Sequence, residues 1–298
     1  MHTGKLVVVG VGLIGASCAL ALRAAGAVQT IVGVGRGRAN LDDAIARQAI
    51  GRAYLLDAPW TAELADADIV LVATPVAQYP ALFAAIAPAL GEATIVTDVG
   101  STKQDVVAAA QAVFGPHMAR FVPAHPIAGS DRSGAAAADA TLFQGRAVVL
   151  TPVRATAADA TARVTAMWQA TGARVSTLTP ADHDRVFAAV SHLPHLLAFA
   201  LVAEFAARPD AAALLAQAGS GFRDFTRIAA SSPEMWRDIA LANRVALRDE
   251  IARYRVALDN VDAMMAAGDG AALLALFERA AVARRRWGAA LPVNDDGT

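Results

Sequence analysis

The sequence predicts two parts in succession: a doubly wound α/β part over residues 1–179 and an all-helical part over residues 180–298. Three observations carry this. Short β-branched runs alternate with helical stretches in the first part, the pattern of a parallel sheet covered on both faces. After Pro180, apolar residues recur at three- and four-residue spacing, as in "RVFAAVSHLPHLLAFALVAEFAA" and "MWRDIALANRVALRDEIARYRVAL", and no strand pattern returns. The length, 298 residues, suffices for two domains of ordinary size.

Strands are expected at Leu6–Val9, Thr30–Val34, Ile69–Ala73, Thr94–Asp98, Arg120–Val122, Ala147–Leu150 and Arg174–Leu178, with helices at Leu13–Ala25 and Val76–Leu90 between the early ones. The start needs a choice. Lys5 followed by "LVVVGVGLIGASCALAL" has the outline of a secretory signal, but its glycine spacing favours a first strand running into a turn. No other segment is expected to be apolar over the ~20 residues that a membrane span requires. A net charge of −1, without a basic patch interleaved with aromatics, speaks against a nucleic-acid partner. The one cysteine, Cys18, allows no internal disulfide, which suits the cytoplasm.

The turn itself reads Gly10-x-Gly12-x-x-Gly15, after a strand and opening a helix, and marks a Rossmann-type dinucleotide-binding domain. Gly10 permits the tight turn. Gly12 lets the backbone, with Leu13 and Ile14 opening the helix, approach a pyrophosphate, and Gly15 lets helix and strand pack closely. At the end of the second strand a carboxylate would hold the ribose of NAD, but Gly35 stands there, followed by Arg36 and Arg38. Arg36 can pair with a 2′-phosphate, so the reading favours NADP over NAD.

Other strand ends should line the same crevice, because ligands in open α/β sheets sit beyond the carboxyl ends of strands. "VATPV" brings Thr74 and Pro75, and "DVGSTK" brings Ser101 and Thr102 toward the nicotinamide or its ribose. Ser101 also stands where it could cap a helix beginning near Lys103. His125, in "AHPIAGSDRSG", is expected on a loop at this edge, because the stretch is too glycine-rich for a helix and too polar for a buried strand. A near-neutral imidazole there can take a proton from an alcohol as hydride leaves carbon. His192 and His195 share a helix face. With His183 they invite a metal reading, but no carboxylate or cysteine completes a ligand set, so no metal is expected. Substrate bonding for one and a core place for the other is the better account. Arg227, like Arg223, offers a carboxylate two parallel hydrogen bonds.

Taken together, "GVGLIGAS", "DVGSTK", "HPIAGSDRSG", "DHDRVFAAVSHLPH" and "GFRDFTRIAASSPEMW", in that order along nearly the whole chain, resemble the prephenate and arogenate dehydrogenases of tyrosine biosynthesis. The resemblance implies oxidative decarboxylation of a cyclohexadienol, with hydride passing to NAD(P). His125 would accept the hydroxyl proton, and Ser101 would hydrogen-bond that histidine and help place the nicotinamide. Arg227 would bind the ring carboxylate, Ser191 and His195 would line the pocket, Ser130 would lie near the substrate side chain, and Trp236 would shape the wall. No room is left after Trp287 for a regulatory or chorismate mutase domain, so control by a separate tyrosine-sensing domain is not expected.

Two other readings compete. A β-hydroxyacid dehydrogenase or imine reductase would place a catalytic lysine in the helical part, yet the only lysines are Lys5 and Lys103. A non-catalytic dinucleotide sensor would have no reason to keep His125, Ser101 and Arg227 together. The apolar run at Leu196–Ala207 exceeds what one helical layer buries, so a homodimer through the helical part is expected. Prephenate and arogenate differ only in a keto or amino group, and Asp131 would favour the ammonium if it pointed inward.

Overall fold

The computed structural model describes residues 3–129 and 132–290. Six parallel strands form the main sheet: β1 (Thr3–Val9), β2 (Val28–Gly35), β3 (Arg52–Leu55), β4 (Ile69–Val72), β5 (Ile95–Asp98) and β6 (Phe121–Val122), in the order β3-β2-β1-β4-β5-β6. This is the Rossmann order, with the switch point between β1 and β4. The run "LVVV" in β1 shows why the sheet is covered twice. Leu6 and Val8 face one apolar core, shared with Cys18 and Leu22 of α1 (Leu13–Ala24), Leu41 of α2 (Arg38–Ala46) and farther residues. Val7 and Val9 face the other, shared with Phe83 of α3 (Tyr79–Ile86) and Val106 of α4 (Gln104–Val113). Side chains alternate along a strand, so a strand buried on both faces must be apolar throughout. The helix expected at Val76–Leu90 is shorter: α3 is flanked by 3₁₀ turns at Val76–Gln78 and Ala87–Ala89, with Pro80 and Pro88 in its first positions and in the second turn. The short strand β3 was not foreseen.

The single sheet expected from the sequence is two. At Pro123 the chain leaves the main sheet, and β7 (Ala124–Pro126) pairs antiparallel with β8 (Ala147–Leu150), which pairs parallel with β9 (Arg174–Thr177). Asp98 and Lys103, both without solvent exposure, fix this departure. Asp98 Oδ1 accepts the Ala124 N–H at 3.0 Å, and Lys103 Nζ donates to the Ala124 carbonyl at 2.8 Å and to Asp98 Oδ2 at 2.5 Å. The stretch expected as a loop is therefore a buried strand at His125: β8 pairs with it on one side, and the side chains of Asp98 and Lys103 take the backbone groups of Ala124 on the other. Helix α5 (Ala158–Ala170) returns over the first core through Val164, Met167 and Trp168.

The rest is helical, as the spacing predicts: α6 (Pro180–Phe187), a π-helical turn (Ala188–His192), α7 (Leu193–Ala206), α8 (Ala211–Ala216), α9 (Ser220–Thr226), α10 (Pro233–Ala242), α11 (Arg244–Ala266) and α12 (Gly270–Ala290). Thr179 caps α6, its hydroxyl accepting the Asp182 N–H. By compactness, residues 1–247 form one unit and 248–298 a second. The expectation about apolar length needs correction: the helical run Pro180–Ala206 is long and apolar enough to cross a membrane by length and composition. Its α7 portion carries apolar residues on most of its sides yet fully buries only Leu193 and Ala198, so part of its apolar surface stays open.

Replacing Lys103 by Met leaves the Asp98 carboxylate buried without its counter-charge. Breaking such a pair costs about 3–5 kcal/mol, and urea denaturation of Lys103→Met should show a loss of that size; a loss under about 1 kcal/mol would contradict the role given to this pair.

Candidate active site

The carboxyl ends of β1, β4 and β5 bring three loops together. Gly10 takes a φ of +101°, and a Cβ there would lie 2.5 Å from the Ala73 carbonyl, so the turn after β1 rests directly on the start of the Thr74–Pro75 loop. At Gly15 a Cβ would meet the Gly10 carbonyl oxygen at 2.2 Å, which closes helix on strand. At Gly12, by contrast, a Cβ would meet nothing within 4 Å. Helix α1 starts there with no side-chain cap and no acid in its first turn, so the N–H groups of Leu13 and Ile14 open onto free space at the positive end of a helix. These residues fit a dinucleotide pyrophosphate. Gly35 ends β2, and Arg36 and Arg38 beyond it are exposed.

Behind this edge, His125 is 9% exposed, and its Nδ1 lies 2.8 Å from Nε2 of the fully buried His183. His183 Nδ1 lies 2.9 Å from Asp184 Oδ1. The same carboxylate caps α4 from a distant element: Oδ1 accepts the Lys103 N–H at 2.8 Å and Oδ2 the Gln104 N–H at 2.9 Å. Phe187 packs its ring against both histidines. Burial, then the charges of His183, Lys103 and His192, hold the His125 imidazole well below its ordinary pKa. Burial likewise lowers His183, against the pull of Asp184. Asp184 itself is penalised by burial, but the bonds from His183, Gln104 and Lys103 outweigh that and keep the carboxyl below its ordinary range.

The structure corrects two expected contacts. Ser101, half-buried, makes no hydrogen bond to His125, whose Nδ1 faces His183; nor does it cap α4, because Asp184 does. Thr102 is fully buried, so only Ser101 of this pair faces the crevice. On the helical side, His192 takes the core place: it is buried, its Nδ1 meets Asn243 Nδ2 at 3.1 Å, and burial pulls it down to about 4. His195 is half-buried, stacks on Trp236 with ring centroids 3.7 Å apart, and places Nδ1 2.9 Å from the Ser191 carbonyl oxygen. Burial lowers His195, against the bond to the Ser191 carbonyl, and the charge of the exposed Arg227 adds to the lowering. A cavity of about 20 Å³ behind Trp236, lined by His192 and Phe199, has room for a water and not for a substrate ring. Ser130 and Asp131 lie outside the described residues.

The stretch between them and α5 is tied to the glycine turn. Asn40 donates to the Val11 carbonyl at 2.5 Å and accepts the Ala135 N–H at 2.6 Å. Ser17 accepts the Asp139 N–H, and Arg47 donates to the Ala138 carbonyl. Sequence reasoning missed Asn40, Lys103 and Asp184. The last had a signal, an adjacent His-Asp pair in the first turns of a capped helix.

An uncapped glycine turn at the switch point and a buried neutral imidazole nearby define a dinucleotide-dependent oxidoreductase of the Rossmann class. The helical part narrows this, and comparison with known proteins completes it. Residues 18–177 match the prephenate dehydrogenase nucleotide-binding domain and residues 179–279 the prephenate dehydrogenase dimerization domain. The chain belongs to the prephenate dehydrogenase family. It is 34% identical to the cyclohexadienyl dehydrogenase of Zymomonas mobilis over 94% of each chain. It is similar to the crystal structure of prephenate dehydrogenase from Aquifex aeolicus in complex with hydroxyphenyl propionate and NAD⁺, with TM-score 0.90, 31% identity and coverage of 96% of this chain and 99% of that one. It is also similar to the arogenate dehydrogenase of Synechocystis, with TM-score 0.80, 32% identity and coverage of 95% and 99%. The hydroxyacid dehydrogenase, imine reductase and sensor readings fall away.

The three buried histidines make stability depend on pH. Unfolded, each titrates near 6.5; folded, each has a lower pKa, about 4 for His192. Below pH 6.5 the unfolded chain therefore binds more protons, so stability is full above that value and declines as pH falls toward 4. Calorimetry at stepped pH should show Tm falling through this window; a flat Tm would contradict neutral burial.

Proposed function

We propose that this chain oxidises and decarboxylates prephenate, arogenate or both, giving 4-hydroxyphenylpyruvate or tyrosine, as a step of tyrosine biosynthesis. The observation that carries this is His125: buried, neutral, anchored on its Nδ1 side, and set behind the edge where the glycine turn opens. Its other nitrogen, Nε2, takes the proton of the ring C4 hydroxyl. The bound dinucleotide supplies the hydride acceptor. Once the C4 carbonyl forms, the ring carboxylate leaves as carbon dioxide, the electron pair of its bond to the ring moves through the ring to the C4 oxygen and aromatises the ring, and the resulting phenolate oxygen recovers a proton. Aromatisation makes the sequence downhill, so the chain's residues need chiefly to orient and to move one proton.

Gly10, Gly12 and Gly15, with the amides of Leu13 and Ile14, hold the pyrophosphate; Thr74 and Pro75 flank it, and Ser101 faces the nicotinamide. Arg227 meets the ring carboxylate, and Ser191, His195 and Trp236 form the wall. NADP is the favoured cofactor: Gly35 removes the repelling carboxylate and the exposed Arg36 supplies a cation for a 2′-phosphate. NAD is the second reading, favoured by the NAD⁺ in the similar Aquifex aeolicus structure.

The division at residue 180 separates cofactor-holding from helical functions, and the helical part joins two copies. The family's dimerization domain matches residues 179–279, and apolar side chains stand exposed there, among them Val190, Leu241 and Phe277. An α7 with apolar residues on most of its sides and only Leu193 and Ala198 fully buried calls for cover. A second copy, rather than a membrane, is the occupant we favour. The buried Cys18 fits a reducing compartment, the cytoplasm.

Assays of NADP and NAD reduction with prephenate and with arogenate test the activity directly; no turnover in any combination sinks it. In His125→Asn, turnover should fall about 10²–10⁴-fold with cofactor affinity unchanged; equal loss of cofactor binding would show the role is misassigned. At Gly35 a new Cβ would meet only the Leu41 side chain, at 3.1 Å, so Asp fits with a small shift of that leucine. A like-charge contact at a few ångströms in water costs about 1 kcal/mol, so Gly35→Asp should move the kcat/KM ratio toward NAD by roughly fivefold or more; an unmoved ratio would mean that no phosphate is read there.

A further inference from the structure

We propose that His183 and Asp184 are positioning residues that decide which nitrogen of His125 carries its proton, leaving Nε2 bare toward the substrate. This deepens the reading above and rests on it.

The argument starts from donors that have no choice. The backbone N–H groups of Lys103 and Gln104, at the start of α4, point at Asp184 Oδ1 and Oδ2 from 2.8 and 2.9 Å. Both oxygens must accept, so the group is a carboxylate, and its buried charge is satisfied by the helix terminus. His183 Nδ1, 2.9 Å from Oδ1, must then donate. A neutral imidazole has one N–H. His183 is fully buried and shares its surroundings with the Lys103 ammonium, which disfavours a second proton. Its Nε2 is therefore a lone pair, and at 2.8 Å it faces His125 Nδ1, which must donate to it. The charged and titratable groups acting on His125 are His183 from α6, Lys103 ahead of α4, and His192 from the π-helical turn, and all three oppose a second proton. With its single N–H spent on His183, His125 keeps Nε2 as an acceptor.

The row of groups has a fixed direction: backbone amides, carboxylate, imidazole, imidazole. When His125 gains the substrate proton, its Nδ1–H stays bonded to His183 and the carboxylate lies one ring away. Asn243 steadies the row, its Nδ2 donating to the Asp184 carbonyl at 2.7 Å. The same carboxylate holds the first turn of α4, so the orientation of the base and the placing of the Ser101 loop are set by one group.

Nitrogen NMR of the protein labelled with ¹⁵N-histidine reads this directly, because protonated and bare ring nitrogens resonate far apart. The expected result is a protonated Nδ1 and a bare Nε2 on His125, assigned by loss of the signals in His125→Asn. In His183→Leu the tautomers should mix and kcat should fall about 10²-fold, the low end for a lost proton acceptor, with KM and cofactor affinity little changed. His183→Gln, whose carbonyl can accept from Nδ1–H, should recover part of kcat and the bare Nε2. A protonated Nε2 in the unaltered protein overturns the proposal, and so does wild-type kcat in a folded His183→Leu. If that variant fails to fold, the spectrum of the unaltered protein and the glutamine variant still decide. The spectra need no substrate, so they test the relay separately from the substrate assignment, which the turnover assay tests.

Discussion

Asp98 ends β5 without access to water, and its two oxygens take the N–H groups of Gly100 and Ala124 and the ammonium of Lys103. Lys103 in turn reaches the Ala124 carbonyl. A charge pair in the interior is costly unless its remaining bonding capacity is satisfied, and here both partners spend that capacity on one peptide segment. That segment is the point where the chain abandons the main sheet for the second one, and the next residue is His125. The position of His125 at this edge is thus set by an ion pair and not by loop chemistry.

The helical part completes what the sheet begins. Helix α4 lacks a local cap, and its first amides are satisfied only when α6 brings Asp184 to them. Orphan N–H groups at a buried helix start are unfavourable, so α4 and α6 stabilise one another, and the loop carrying Ser101 is ordered by a residue some eighty positions away. The imidazoles gathered there are kept neutral chiefly by burial. That suits a proton acceptor and makes the fold sensitive to acid, so the same desolvation serves the chemistry and limits the conditions under which the protein is stable.

Much of this was legible in advance. The glycine turn, the alternation of strands and helices and the change at Pro180 follow from local patterns, and the five ordered motifs pointed to the family. What the sequence hid was long-range. The strand at Ala124–Pro126 looked like a loop because its backbone partners include the side chains of Asp98 and Lys103, which no local rule connects to it. Thr102 looked like a ligand contact because a strand-end loop exposes some residues and seals others, and only the packing of α4 distinguishes it from Ser101. The excess apolarity of Leu196–Ala207 was legible, but the spacing of apolar residues alone did not register that the whole run from Pro180 to Ala206 is apolar enough to match a membrane span in length and composition. Asp184 was inside a quoted motif, but its role needed two amides from another helix.

Asn40 joins the glycine turn to Ala135, and Ser17 and Arg47 tie the neighbouring positions to α1 and α2. The segment at Ala135–Asp139 is consequently stitched to α1, to α2 and to the glycine turn. Recombination between relatives that kept one block and exchanged the other would sever these threads, even if every side chain in the reaction centre matched. Grafting a new substrate preference onto this scaffold would have to move residues 11–47 together with residues 135–139, as a single module.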